Sequence, residues 1–138
     1  MTARFKALIL ATCLFLSNPA SGRLLLYSDQ VFLGCLDCIQ AVPDSVCNLN
    51  GPYGQLNLKT SIWNQVSKYG SPESPQSPWS GSRKGPLMVD QHGTVFGRFQ
   101  VNPEGGYTQS IKLMQLYEGL NHDLSQVREI FCQDWSDV

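Results

Sequence analysis

Three short units follow one another in the middle of this chain, and each begins with a serine. The serines are Ser45, Ser61 and Ser77, so the two intervals between them are equal. The first two units share the serine, the aliphatic residue after it, an asparagine and a later Tyr-Gly pair, whereas the third keeps only a serine, a tryptophan and a Gly-Pro. This period is too short for a tetratricopeptide or ankyrin array, whose repeats are about 33 residues long. The sequence therefore predicts a degenerate repeat in three pieces, at 45–60, 61–76 and 77–86.

The composition of the units predicts turns. Asn, Ser, Pro and Gly fill the positions between the apolar residues. These residue types favour turns, because Asn and Gly accept left-handed dihedral angles and Pro presets φ. The apolar residues follow neither a helical period nor strict alternation. Each unit is expected to be a loop or short extended piece that places one large side chain inward and turns at its Tyr-Gly pair.

Four aromatic rings of the units are predicted to gather in one cluster: Trp63, Trp79, Tyr53 and Tyr69. Cys47 occupies the position that the two tryptophans fill, so its side chain is expected to point inward as well. Two interpretations of the four rings stay open. They are either the core of a loop-rich domain, since aromatic rings dominate burial in small proteins, or a platform for a sugar or a peptide. The four rings are the candidate binding residues of this sequence.

Residues 1–22 have the pattern of an export signal. Arg4 and Lys6 supply positive charge, residues 7–16 form an apolar run, and small residues precede a cleavage site after Gly22. This apolar run is too short to span a bilayer as a helix. A lipoprotein with the lipid on Cys13 is the alternative.

Cleavage would leave an exported domain, residues 23–138, with 8 basic against 11 acidic side chains, because Arg4 and Lys6 are removed. A mildly acidic chain without a basic patch argues against nucleic acid, whose binding rests on Lys and Arg meeting phosphates. No second apolar segment follows. The domain is therefore expected to have no transmembrane segment and to be periplasmic or secreted.

The exported domain keeps four cysteines: Cys35, Cys38, Cys47 and Cys132. An even number in an exported chain indicates two disulfide bonds, and spacing alone does not choose among the three pairings. A bridge from Cys132 to one of the three N-terminal cysteines would close a loop of about 85 to 97 residues. In the chain-entropy model such a bridge stabilises the fold by about 4 to 5 kcal/mol. We expect Cys132 to pair with Cys35 or Cys38, and Cys47 to take the other.

The remaining chain predicts a small α+β domain, in which a sheet of two β-hairpins packs with the irregular, repeat-built loop region and with two C-terminal helices. The first hairpin joins 24–27 to 31–33, and the second joins 87–90 to 94–101 through a tight turn that contains a glycine. Alternation along the last strand predicts one face made of Val95, Gly97, Phe99 and Val101.

Two helices are predicted to close the domain within residues 108–132. The first covers about 108–118 and ends before a glycine. The second begins at Asp123, with Gln126 as its capping-box partner. The apolar stripe of the second helix is Leu124, Val127, Ile130 and Phe131.

Three stretches of the chain together resemble an uncharacterised family of exported bacterial proteins. They are the FLGCLxC motif at Phe32–Cys38, the Ser-Ile-Trp-Asn and Tyr-Gly units, and the VDxxGxxxG hairpin at Val89–Gly97. The resemblance extends from Val31 to Asn102. It implies a bacterial exported protein and carries over no catalytic residue. The chain departs from the family pattern in its third unit, at 80–84, and in the hairpin turn.

The segment Cys35-Leu36-Asp37-Cys38 has the spacing of a thiol redox pair. A reactive pair places its first thiol at a helix N-terminus, where the dipole lowers the pKa, but Pro43 interrupts any helix that would follow. A structural disulfide is therefore the favoured interpretation. A third interpretation is a zinc ion held by the four cysteines. An oxidising compartment argues against it, because it favours disulfides over the thiolates that zinc binds.

Other candidate chemistry in the sequence has a conformational explanation. Asp90 and His92 could bind a metal or act as a base, but a tight turn uses Asp and Gly for its shape. His122 directly precedes the predicted helix cap. No phosphate loop, zinc-protease helix or EF-hand motif is present in the sequence.

These patterns favour an exported, non-enzymatic module without a cofactor. Its expected partner is a protein or a cell-envelope ligand, and its candidate contact face is the surface of the repeat units. The alternative is a thiol–disulfide oxidoreductase that uses the Cys35–Cys38 pair.

Overall fold

The computed structural model describes residues 23–102, 104 and 110–134. The expected export signal at 1–22 and the expected beginning of the first helix at 108 lie outside the described residues. Within the described part, no helix is long and apolar enough to cross a membrane.

Four short strands within residues 23–102 form one antiparallel sheet. The strands are β1 (Leu25–Ser28), β2 (Val31–Cys35), β3 (Leu87–Val89) and β4 (Val95–Arg98). Their order across the sheet is β2-β1-β3-β4. Each hairpin joins neighbours in sequence, and the pairing of β1 with β3 joins the two hairpins. The expected sheet of two hairpins is confirmed.

The two hairpin turns use different chemistry. Asp29 and Gln30 both have positive φ, 48° and 66°, and such a two-residue turn matches the twist of the flanking strands. In the second hairpin, the Asp90 carboxylate accepts the backbone N–H groups of His92 and Thr94, at 2.8 and 2.9 Å. Asp90 therefore shapes the turn, as a conformational role requires.

Strand β4 does not alternate as predicted. Val95 and Gly97 pair with successive residues of β3, so Phe96 between them is an extra residue. Such a bulge resets the alternation of side chains. As a result Val95 is 56% exposed, whereas Phe99 and Val101 are buried. The prediction of a single face for these positions is wrong.

In the described part of the chain after the sheet there are two helices, α1 (Ser110–Gly119) and α2 (Leu124–Asp134). Asp123 caps α2, because its Oδ1 accepts the backbone N–H groups of Ser125 and Gln126 at 3.0 and 3.2 Å. The side-chain amide of Gln126 donates back to Oδ2 at 2.9 Å. The predicted start of the second helix is confirmed, with this side-chain bond between Gln126 and its cap.

The buried stripe of α2 matches the prediction in three of four positions. Leu124, Val127 and Phe131 are buried, but Ile130 is 40% exposed. The prediction for Ile130 is wrong, and a charged residue, Arg128, is buried on this helix instead.

The long loop segment between the hairpins, residues 36–86, consists of successive turns. The buried serines that begin the three units, Ser45, Ser61 and Ser77, each accept the backbone N–H two residues ahead, at 3.0, 3.2 and 3.1 Å. Such side-chain to backbone bonds hold a turn in place. The same local geometry therefore recurs at the equivalent position of each unit.

Hydrogen bonds also join each of these turns to the one before it. The indole N–H of Trp63 donates to the Val46 carbonyl at 2.7 Å, and that of Trp79 donates to the Ile62 carbonyl at 2.6 Å. Each of these bonds spans 17 residues. The tryptophans thus tie successive turns into a stack, and they satisfy backbone groups that would otherwise be buried without a partner.

Backbone hydrogen bonds join the first turn of the stack to the sheet and the last turn to the chain after β4. At the first end, the Val46 N–H donates to the Cys35 carbonyl of β2 at 3.0 Å. At the other end, the Val101 N–H donates to the Pro78 carbonyl at 2.9 Å. Both ends of the stacked turns are therefore paired within the chain.

The asparagine and glycine shared by the first two units meet in the structure. The side chain of Asn48 donates to Val42, and that of Asn64 donates to Leu58, at 3.1 and 3.0 Å. A Cβ added to Gly54 or Gly70 would lie only 2.0 or 2.1 Å from the carbonyl oxygen of the same unit's asparagine. Close approach of two backbone segments thus requires glycine at both places.

Candidate functional site

The two tryptophans among the candidate binding residues lie in the core. Trp63 is 1% exposed and Trp79 is 3% exposed, and their ring centroids are 5.5 Å apart. Trp63 also contacts Phe131 of α2, and Trp79 contacts Phe99 and Tyr117. These rings pack elements together, and as placed they offer almost no surface to a ligand.

The two tyrosines are half-buried at the surface. Tyr53 contacts the ring of Phe32 on β2, with centroids 4.9 Å apart. Tyr69 packs against the edge of the core, and the ammonium of Lys68 lies 5.6 Å from its ring centroid. The prediction of a single four-ring cluster is wrong, because Tyr53 packs on the sheet while the tryptophans pack against the helices.

A row of side chains crosses all four strands next to Tyr53. Phe32 pairs with Tyr27, Tyr27 pairs with Leu87, and Leu87 pairs with Arg98. Residues that face each other across antiparallel strands project from the same side of a sheet. All four are partly exposed, so this sheet row forms part of the outer surface. The rings of Tyr27 and Phe32 are in contact, with centroids 5.3 Å apart.

A cleft of about 530 Å³ opens beside the end of the sheet row. Three members of the row line it, Tyr27, Leu87 and Arg98, together with polar side chains from the first hairpin turn and from the loop segment. Those polar residues are Ser28, Asp29, Gln30, Gln76 and Lys84. The size is within the range of small-molecule sites.

Charged groups around the cleft are arranged unevenly. Arg98 and Lys84 bring two cations, while the carboxylate of Asp29 lies 3.3 Å from the ammonium of Lys68. The Arg98 guanidinium is held in place by a hydrogen bond to the Gly85 carbonyl at 2.5 Å. Local charge at the cleft is therefore positive, although the whole chain has a formal net charge of −1.

Burial perturbs the phenol of Tyr53, next to the sheet row. Burial of Tyr53 raises its pKa above the ordinary value, and the nearby Asp44 and Tyr27 raise it further. The group stays neutral at physiological pH and keeps its O–H donor. Tyr53 thus offers an apolar ring and a polar tip on the same surface.

The disulfides join Cys35 to Cys38 and Cys47 to Cys132. The presence of two disulfides is confirmed, but the expected pairing of Cys132 with Cys35 or Cys38 is wrong. Cys47 faces α2 because it occupies the inward position of its unit, whereas Cys35 and Cys38 lie together at the end of β2, with 5.5 Å between their Cα atoms.

One group of possible metal ligands occurs among the described residues, Cys35, Asp37 and Cys38. Both sulfurs of this group are joined in a disulfide, and zinc binds thiolates. The Asp37 carboxylate also accepts the Leu24 backbone N–H at 2.7 Å, and this bond holds the residue before β1 against the segment after β2.

Sequence reasoning missed Arg128, which is almost fully buried in α2. Its guanidinium donates to the carbonyl oxygens of Gly54 and Cys47, at 2.9 and 2.7 Å. Burial lowers its pKa below the ordinary value for arginine. A basic residue in the middle of an apolar stripe is the signal that could have indicated this role.

The two histidines stay apart in the structure. His92 lies at the exposed tip of the second hairpin. The His122 ring stacks on Tyr117 with centroids 4.4 Å apart, and its Nε2 lies 2.9 Å from the Glu118 carboxylate. Both side chains thus belong to local contacts at the surface.

Comparisons of the chain with protein-family models, with curated proteins and with solved structures found no match.

Proposed function

We propose that this protein is an exported, non-enzymatic binding module for a ligand of the bacterial cell envelope, a glycan or a protein. The contact face consists of the sheet row, Tyr53 beside it, and Tyr69, whose neighbour Lys68 pairs with Asp29 of the first hairpin turn. The observation that carries the proposal is the continuous ring contact from Tyr53 through Phe32 to Tyr27 on an exposed side of the sheet.

Exposure of these rings supports the proposal. Among the described residues, the two tryptophans Trp63 and Trp79 are buried in the core, whereas the tyrosines of the first two units are partly exposed. Contiguous exposed apolar surface that is rimmed by polar groups is typical of interaction sites. A tyrosine is suited to such a place because one end of its side chain is apolar and the other is a hydrogen-bonding group.

Export is supported by the cysteine chemistry and by the sequence pattern. Two disulfides in a small domain are typical of secreted, periplasmic or extracellular proteins. The N-terminal pattern of positive charge followed by an apolar run adds to this, as does the resemblance to exported bacterial proteins.

The alternative function, a thiol–disulfide oxidoreductase at Cys35–Cys38, has less support. Exchange requires a thiolate to reach a disulfide sulfur, but Cys35 and Cys38 are both buried. Turns follow Cys38, rather than a helix whose dipole would lower a thiol pKa.

The test is sedimentation of the exported chain with purified peptidoglycan sacculi and, separately, with vesicles of native outer membrane. We expect the Tyr53→Ala/Tyr69→Ala variant to bind at least about tenfold more weakly, since loss of two contact rings removes about 1.4 kcal/mol or more. The matched control is Phe96→Ala, which removes an exposed ring outside the sheet row.

Folding of each variant is checked by its unfolding midpoint and by the number of cysteines that react with an alkylating agent. Equal binding by the folded tyrosine variant, or no binding of the parent chain to either preparation, would contradict the proposal.

A further inference from the structure

We infer that the cleft beside Arg98 binds a sugar unit that carries an anionic group, as part of an envelope glycan. This inference rests on the proposed binding function and names the ligand chemistry of one part of its contact face. Three features of the cleft carry it: an apolar wall, an excess of positive charge, and side-chain amides at the rim.

The wall is formed by Tyr27 and Leu87, which are direct neighbours across β1 and β3. The Tyr27 ring is supported by Phe32, which in turn contacts Tyr53. A ring held in this way loses little side-chain freedom when a ligand binds. The C–H face of a pyranose packs well on such an apolar wall.

The positive charge comes from Arg98 on the sheet row and Lys84 on the loop segment. The bond from Arg98 to the Gly85 carbonyl orients the guanidinium and uses one of its five N–H donors. A guanidinium binds a carboxylate or a phosphate through paired N–H donors. Asp29, the one acid among the described residues that line the cleft, is paired with Lys68 and so opposes an anion less than a lone carboxylate would.

The rim brings amides that suit hydroxyl groups. Gln76 lines the cleft, and its side-chain amide lies 3.1 Å from the Ser74 hydroxyl. Gln30 belongs to the tight two-residue turn of the first hairpin, so its backbone position is held by the turn. Apolar walls with a few placed polar groups are typical of small-ligand sites.

The contact face and the cleft are connected through shared residues. Tyr27 belongs to both the sheet row and the cleft, and Asp29 links the cleft to Lys68, which lies over the Tyr69 ring. A glycan chain that rests on Tyr53 and Tyr69 can therefore place one anionic unit in the cleft.

The experiment is calorimetric titration of the exported chain with three probes. They are a glucuronate-containing oligosaccharide, the same oligosaccharide with its carboxyl groups reduced to alcohols, and a phosphate ester of glucose. We expect the carboxylate or the phosphate probe to bind at least about tenfold more tightly than the reduced one, and the difference to shrink with added salt. The probe that binds more tightly identifies the anionic group.

Variants then assign the effect to the cleft. Arg98→Gln and Lys84→Gln are each expected to weaken binding of the anionic probe about tenfold. The matched control is Arg83→Gln, which removes a cation from the same loop segment. Its side chain is 76% exposed, it pairs with Glu104, and it does not line the cleft. Lys84 is exposed, so Lys84→Gln is expected to fold and tests the cleft even if Arg98→Gln does not fold.

Equal binding of charged and reduced probes, or equal weakening by Arg83→Gln and Lys84→Gln, would overturn the inference. If envelope preparations still bind in a Tyr53- and Tyr69-dependent manner while no anionic sugar binds, the inference fails and the proposed function stands. If neither the probes nor the envelope preparations bind, both fail.

Discussion

The guanidinium of Arg128 lies 2.7 Å from the carbonyl oxygen of Cys47, and Cys47 itself is bonded to Cys132 one turn further along the same helix. Helix α2 therefore holds the first unit of the loop segment by a covalent bond and by buried hydrogen bonds. The second of these hydrogen bonds, to Gly54, reaches the Tyr-Gly pair of that unit. Loss of either kind of bond should therefore loosen the contact between α2 and the loop segment.

Replacement of Arg128 should destabilise the fold strongly. In Arg128→Met the carbonyl oxygens of Cys47 and Gly54 lose their donor inside the protein, and we expect the free energy of unfolding to fall by about 2 to 3 kcal/mol. The measurement is urea denaturation. Arg83→Met, at an exposed site, is the control and should change stability by less than about 0.5 kcal/mol. Equal midpoints for the two variants would contradict the role of Arg128.

The two disulfides should contribute unequally. The Cys47–Cys132 bond joins cysteines with a sequence separation of 85, while the separation of Cys35 and Cys38 is 3. In the chain-entropy model, removal of the first by paired alanine substitutions costs about 4 to 5 kcal/mol, and removal of the second costs about 2 kcal/mol. Denaturant unfolding of the two double variants gives the comparison.

Peptide mapping under non-reducing conditions tests the pairing itself. A peptide that links Cys132 to Cys35 or Cys38 would contradict the structure, and so would equal losses of stability in the two double variants.

Substitution of the repeated glycine should be far more harmful than substitution of another glycine. In Gly70→Ala the new Cβ would lie 2.1 Å from the Asn64 carbonyl oxygen, so the two backbone segments must separate. We expect a loss of about 1 to 3 kcal/mol. Gly119→Ala is the control, because among the described residues its added Cβ meets no atom within 4 Å apart from its chain neighbours and its own helix backbone. A thermal unfolding midpoint for Gly70→Ala as high as that of the control would show that the contact is relaxed in solution.

The cap of α2 should make stability depend on pH. Hydrogen bonds from the Gln126 side chain, and then from the backbone of Gln126 and Ser125, hold the pKa of Asp123 below its ordinary value of 3.8. Because the folded-state pKa is the lower one, the cap stabilises the fold above the unfolded value, and this contribution is lost as pH falls through the folded value. In Asp123→Asn, the denaturation midpoint should therefore fall less steeply between about pH 5 and about pH 2. An unchanged slope would contradict this role.

Local features of the fold followed from the sequence. Asp90 in the second hairpin turn, Asp123 at the start of α2, and the serines of the units all act through hydrogen bonds to residues two to four positions ahead. Bonds of this range depend on neighbouring residues, so residue type and spacing predict them.

The candidate site followed from the sequence only in part. Tyr53 and Tyr69 were identified by their repeated position, but the sequence did not distinguish them from Trp63 and Trp79, which are buried. Burial depends on what packs against each ring. The indole N–H groups find carbonyl partners one unit back, so these rings can be buried without an unsatisfied donor.

Residue type and spacing were enough to specify the turns, the hairpins, the helix cap and the inward positions of the units, because these depend on local dihedral preferences and short-range bonds. The cysteine pairing, the carbonyls that Arg128 reaches, and the row that places Leu87 between Tyr27 and Arg98 became known only from the folded chain. Those relations join residues that are far apart in the chain, as between Tyr27 and Leu87 or Cys47 and Cys132. They depend on the order of the strands and on the packing of α2 against the stacked turns, which no local pattern encodes.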